Sequence, residues 1–97
     1  MSAYVISETE ALDEAEVARY RAVANKSLDI YGGEYLVRAT KPAAAEGFWP
    51  EQQKIVVVRF PSIDRLREWY VSPEYGEALA ISRNALTRRL LFVDGVG

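Results

Sequence analysis

Two short runs constrain this chain most: Glu-Tyr-Leu-Val-Arg-Ala at 34–39 and Lys-Ile-Val-Val-Val-Arg-Phe at 54–60. Strands send successive side chains to opposite faces, so each run sorts into two sets. Tyr35, Val37 and Ala39 form one set of the first run, and Val56, Val58 and Phe60 one set of the second; both are wholly apolar. The other sets, Glu34, Leu36 and Arg38 with Ile55, Val57 and Arg59, mix aliphatic and charged residues. A sheet built on these runs must lie under helices on its apolar face and has an opposite face too apolar for water alone.

The flanking segments supply the rest of such a sheet. Ala3-Tyr-Val-Ile-Ser7 reads as a first strand, with Glu8 to Leu12 as a polar connection. Asp13, followed three residues later by Glu16, has the form of a capping box. The helix it opens carries Val17, Tyr20, Ala24, Ser27 and Tyr31 on one stripe and ends at Gly32-Gly33, where glycine takes a left-handed conformation freely. Ser62 is an N-cap candidate for a second helix with Ile63, Leu66, Trp69 and Tyr70. Ser72-Pro73 interrupts that helix, because a residue before proline leaves the α region, and restarts it with proline at the first helical position. The restarted segment runs to about Asn84, and Thr87 to Val93 forms a fourth strand. The order β-α-β-β-α-β predicts a single ferredoxin-like α+β domain over the whole chain, a four-stranded antiparallel sheet with both helical segments on one face.

Composition narrows the chemistry. The chain has no cysteine and no histidine, which removes thiolate chemistry, the commonest general base and the commonest metal ligand; no metal or cofactor is expected, and haem lacks an axial His or Cys. A net charge of −2 argues against nucleic acid, whose backbone is bound by many Lys and Arg contacts. The N-terminus has no basic, long apolar leader, and no stretch has the length of a membrane span, so the expectation is a soluble cytoplasmic protein. A domain of 97 residues buries only about 60–65% of its unfolded surface. Leaving the mixed sheet face in water forgoes roughly 1.5–3 kcal/mol per large aliphatic side chain. A second copy of the sheet is the expected cover, giving a face-to-face homodimer and a dimeric α/β barrel.

Several runs together resemble one family. Tyr31-Gly-Gly-x-Tyr-Leu-Val-Arg38, Glu46-Gly-x-Trp49-Pro50, Phe60-Pro-Ser62, Trp69-Tyr-x-Ser-Pro-Glu-Tyr75 and Arg83 are similar to the domain of unknown function 1330 family. The resemblance spans nearly the whole chain, and the run from Trp69 to Tyr75 is its most specific part. It implies the dimeric α/β-barrel superfamily, which holds cofactor-free monooxygenases, isomerases, decarboxylases, haem-handling enzymes and ligand-binding proteins. Fold kinship of that breadth transmits no single reaction. Two positions depart from the family pattern: Glu34 stands where arginine is usual, and Arg59 where an acid is usual. A register setting them opposite one another preserves a cross-strand ion pair with its signs exchanged.

The candidate ligand-binding residues are Arg38, Trp49, Arg59, Tyr75 and Arg83. Arg38 follows Leu36 on the mixed face and suits bidentate capture of an anion; a salt bridge to Glu46 or Glu51 is its bland alternative. Trp49 lies in the long 40–53 connection and is either an aromatic lid or an anchor for the loop. Tyr70 reads as core, while Tyr75 is open to a ligand role. Ser72 reads as a cap rather than a nucleophile, with no histidine to activate it. Arg83, Arg88 and Arg89 form a basic group suited to neighbouring acids or an anionic ligand. The leading reading is a homodimer binding a small apolar or aromatic anion, with cofactor-free catalysis left open. Its alternative is a structural or regulatory homodimer without activity. A cavity above about 300 Å³ lined by Arg38 favours the first, and a filled interface the second.

Overall fold

The computed structural model describes residues 1–96. Its order is β1 (Ala3–Ala11), α1 (Glu14–Tyr31), β2 (Glu34–Thr40), β3 (Lys54–Phe60), α2 (Ile63–Tyr70), α3 (Pro73–Ala85) and β4 (Leu86–Asp94). The strands form one sheet in the order β2-β3-β1-β4, antiparallel throughout, which is the ferredoxin-like arrangement. The Cα envelope is only 15 Å thick, one sheet plus one helical layer.

Local signals set most boundaries. Asp13 accepts from the backbone N–H groups of Ala15 and Glu16, but Glu16 turns away to Arg19 at 2.7 Å, so only half of the expected capping box forms. Gly32 closes α1 at φ 78° and donates to the Leu28 carbonyl. Ser62 caps α2 through the Arg65 N–H, and Ser72 caps α3 through the Tyr75 N–H with Pro73 behind it. β1 runs four residues past its expected end at Ser7, through the polar Glu8 to Ala11. The long β4 supplies the reason: Glu8 to Ala11 pair with Leu86 to Arg89, and ladder bonding overrides their polar composition.

The core lies between helices and sheet. Val5, Val58 and Phe60 meet Leu28, Leu66, Trp69 and Tyr75, all buried. Trp69 packs on Phe60 at 5.2 Å and on Tyr75 at 4.0 Å between ring centroids, while its indole N–H donates to Ser27 Oγ at 2.9 Å. A buried indole donor needs such a partner, which explains a serine on the apolar stripe of α1.

β2 departs from regular pairing in a way that decides the site. Glu34 stands opposite Arg59 and Tyr35 opposite Val58, as the regular register requires; further on Val37 faces Val57, and Thr40 faces Ile55. Each slip inserts one residue, and Ala39 adopts φ 49°, uncommon for a residue with a Cβ. A one-residue slip exchanges the faces of the residues beyond it. Val37, expected under the helices, therefore shares the open face with Val57. Arg38, expected on the open face, turns to the helix side and stacks over Tyr35, its guanidinium carbon 4.6 Å from the ring centroid. Tyr35 is itself tied to the helical layer by its hydroxyl, which donates to Asn25 Oδ1 at 2.9 Å.

The open face is apolar at its centre. Ile6 pairs with Val57 on one side and Leu91 on the other, and Leu36, Leu91 and Val93 are 46%, 44% and 40% exposed. Ion pairs flank it, Glu34 with Arg59 at 2.9 Å and Glu8 with Arg89 at 2.7 Å. Both are solvated, so water screens them and they add little to stability.

Candidate functional site

Between the helical layer and the sheet, beside the bulged end of β2, opens a cleft of about 230 Å³. β1 contributes Ser7 and Thr9 to its wall, α1 Val17 and Tyr20, β2 Tyr35 and Arg38, β3 Val56, and β4 Leu86 and Arg88. Alternation along each strand places these residues: Ser7, Val56 and Arg88 share the helix-side face with the core residues Val5, Val58 and Leu90. Four basic side chains, Arg21, Arg38, Lys54 and Arg88, stand against two acids, Glu10 and Glu14, on a protein of net negative charge. The cleft is a locally basic, partly apolar recess lined by Arg38, but at this volume it falls short of the roughly 300 Å³ set above, so its size does not favour ligand binding over a structural role.

Arg88 is the unusual member. Its Nη1 donates to the Tyr20 hydroxyl at 2.8 Å and its Nη2 to the Tyr75 hydroxyl at 2.7 Å, while the two hydroxyls lie 2.8 Å apart. The guanidinium also sits over the Tyr20 ring, 5.2 Å from its centroid. No carboxylate pairs with it among the described residues. Burial acts against its charge, but the two tyrosine oxygens outweigh that and raise its pKa. Tyr75 is driven well above the ordinary tyrosine value, first by burial and then by Tyr20, against the opposing pull of Arg88. Arg88 is therefore a cation beside a neutral Tyr75 phenol at neutral pH. Nearby, Ser7 Oγ is buried without a hydrogen-bond partner.

The structure distributes the sequence candidates unevenly. Arg38 lines the cleft, and its alternative salt bridge to Glu46 or Glu51 does not form among the described residues: Glu51 pairs with Lys41 instead. Tyr75 is fully buried behind the wall and touches the cleft only through Tyr20 and Arg88. Arg59 lies on the opposite face of the sheet with Glu34, Arg83 is exposed on α3, and neither reaches the cleft. Trp49 is half-buried and holds its own loop, its indole N–H donating to the Gln53 carbonyl at 2.8 Å. The basic group at 83–89 is dispersed, since Arg89 pairs with Glu8 while Arg88 turns inward. Tyr20 and Ser7 did not stand out as ligand contacts in the sequence, and Arg88 did so only as one of a basic group with Arg83 and Arg89. The available signal was parity: with Arg89, Leu91 and Val93 on the open face, Arg88 falls on the side of Leu90, beneath the helices.

The comparisons accord with this fold. A family model described as Domain of unknown function (DUF1330) matches residues 2–96. The chain belongs to that family. Among solved structures, the RPA0582 protein of unknown function from Rhodopseudomonas palustris is 15% identical at a TM-score of 0.80, covering 99% of this chain and 83% of its own. SnoaB, a cofactor-independent oxygenase from Streptomyces nogalater, is 11% identical at a TM-score of 0.61, covering 99% of this chain and 94% of its own. A dimeric protein of unknown function and ferredoxin-like fold from Bacteroides fragilis is 14% identical at a TM-score of 0.51, covering 97% and 96%. At these identities the likeness is one of fold. A search of curated proteins finds no match. Among the described residues, no helix is long and apolar enough to cross a membrane, and no cluster of acidic side chains could hold a metal ion.

Proposed function

We propose that this DUF1330 protein is a homodimeric binder of a small apolar or aromatic anion, held in the helix-side cleft by Arg88 and Arg38. The observation that carries the reading is Arg88: a largely buried guanidinium whose described partners are two tyrosine hydroxyls, on the wall of a recess that also holds Val17, Val56 and Leu86. Desolvating a cation is costly unless an anion compensates, and a ligand carboxylate or phenolate would supply that charge. The apolar residues suit a single ring.

The dimer rests on the open sheet face. Its aliphatic centre, flanked by Glu34–Arg59 and Glu8–Arg89, has the composition of an interface core with a charged rim, and the fold leaves that side without a second layer. A second copy supplies the same apolar patch and both signs of charge. The Bacteroides fragilis neighbour is described as dimeric, in keeping with this arrangement. Cofactor-free catalysis is the extension that likeness to SnoaB supports, and the cleft offers it positioning and positive charge rather than a histidine or cysteine.

The test pairs light scattering with titration of benzoate followed by nuclear magnetic resonance. A dimer at micromolar concentration and shifts confined to cleft residues are expected, with Arg38→Ala weakening binding and leaving the dimer intact. A monomer removes the interface, and shifts centred on Arg59 or Trp49 would move the site elsewhere.

A further inference from the structure

The proton inventory of the Tyr20–Tyr75–Arg88 triad specifies the ligand's charged end more closely, resting on the binding reading above. Two phenolic protons are available and one lies between the hydroxyls. Arg88 only donates, so each tyrosine oxygen already accepts one of its N–H groups. If Tyr20 gave its proton to Tyr75, the Tyr75 proton would be left without an acceptor inside the core, where Tyr75 has no exposure at all. An orphaned buried donor is disfavoured enough to decide the direction. Tyr75 therefore donates to Tyr20, both acceptor sites of Tyr20 are filled, and the Tyr20 proton is released towards the cleft that its side chain lines. The remaining N–H groups of Arg88 and the unpartnered Ser7 hydroxyl belong to the same wall.

We propose that this inner wall is an oxyanion receptor in which Tyr20, oriented by Tyr75 and charged by Arg88, donates to a ligand oxygen that bears the negative charge. Tyr20 is then a ligand-contacting residue and Tyr75 a positioning residue. The shared chemistry is an oxyanion on a flat apolar body, from either a carboxylate or a phenolate. A neutral amide of the same shape would aim an N–H donor at donors and be rejected.

The experiment compares benzoate with benzamide by calorimetric titration of the intact protein and of Tyr20→Phe and Tyr75→Phe. The expected result is benzoate over benzamide by about tenfold or more, the preference lost in Tyr20→Phe and reduced but still present in Tyr75→Phe, where Tyr20 keeps its proton and loses the group that orients it. Preference retained in Tyr20→Phe would overturn the assignment while leaving the binding reading intact; failure of both rings to bind would remove both. The phenolate arm needs no variant. Bound para-nitrophenol should show its anionic absorbance band at a pH about one unit below that in free solution, equivalent to tenfold preference for the anion. An unchanged or raised midpoint would refute the receptor even if Tyr20→Phe did not fold.

Discussion

Replacing Arg88 by methionine separates ligand binding from folding. The variant loses two hydrogen bonds, to Tyr20 at 2.8 Å and to Tyr75 at 2.7 Å. Bonds involving a charged group have a net worth of about 1.5–3 kcal/mol each, so their loss alone would cost roughly 3–6 kcal/mol. Against this, the guanidinium no longer has to leave water, a relief of several kcal/mol for a largely buried ion. Methionine keeps the apolar stem, and the tyrosines keep their mutual bond, so no buried donor is orphaned. The two effects offset, and unfolding in urea should differ from the parent by no more than about 2 kcal/mol. Benzoate binding should be abolished in the same preparation. A loss of more than about 3 kcal/mol would refute the reasoning, because it would make Arg88 a structural tie with its charge already compensated.

Two further perturbations probe the surrounding structure. Ser27→Ala removes the acceptor of the buried Trp69 indole N–H and should destabilise by about 1–3 kcal/mol, while adding Trp69→Phe to it should cost less than the sum of the two single changes, measured as a double-mutant cycle. Burial first of all raises the Tyr35 and Tyr75 pKa values above the ordinary 10.0, so folded protein holds protons that unfolded chains release. Their contribution is complete below pH 10 and is lost progressively above it; denaturant midpoints should fall with rising pH there, less steeply in Tyr75→Phe.

The element order, three helix caps and the break at Ser72-Pro73 were legible because each is a short-range event. Asp13, Ser62 and Ser72 satisfy N–H groups two or three residues away, and proline acts on its immediate neighbour. Alternation likewise located the buried face of β3, since strand period is a local property. The capping box failed in one half because Arg19, one turn along, offers Glu16 a charged partner.

What the sequence alone determined, then, is the ferredoxin-like scaffold, the family and the absence of His and Cys chemistry. Tertiary structure decided the site. The slips in β2 arise from pairing with β3, which no inspection of β2 by itself can register, and they carry Arg38 across the sheet. Tyr20 and Tyr75, 55 positions apart, become a proton-sharing pair only when α1 packs on α3. Arg88 joins them because its strand places it beneath those helices. Charge, donor direction and cavity are products of packing between distant segments, and local preference contains none of them.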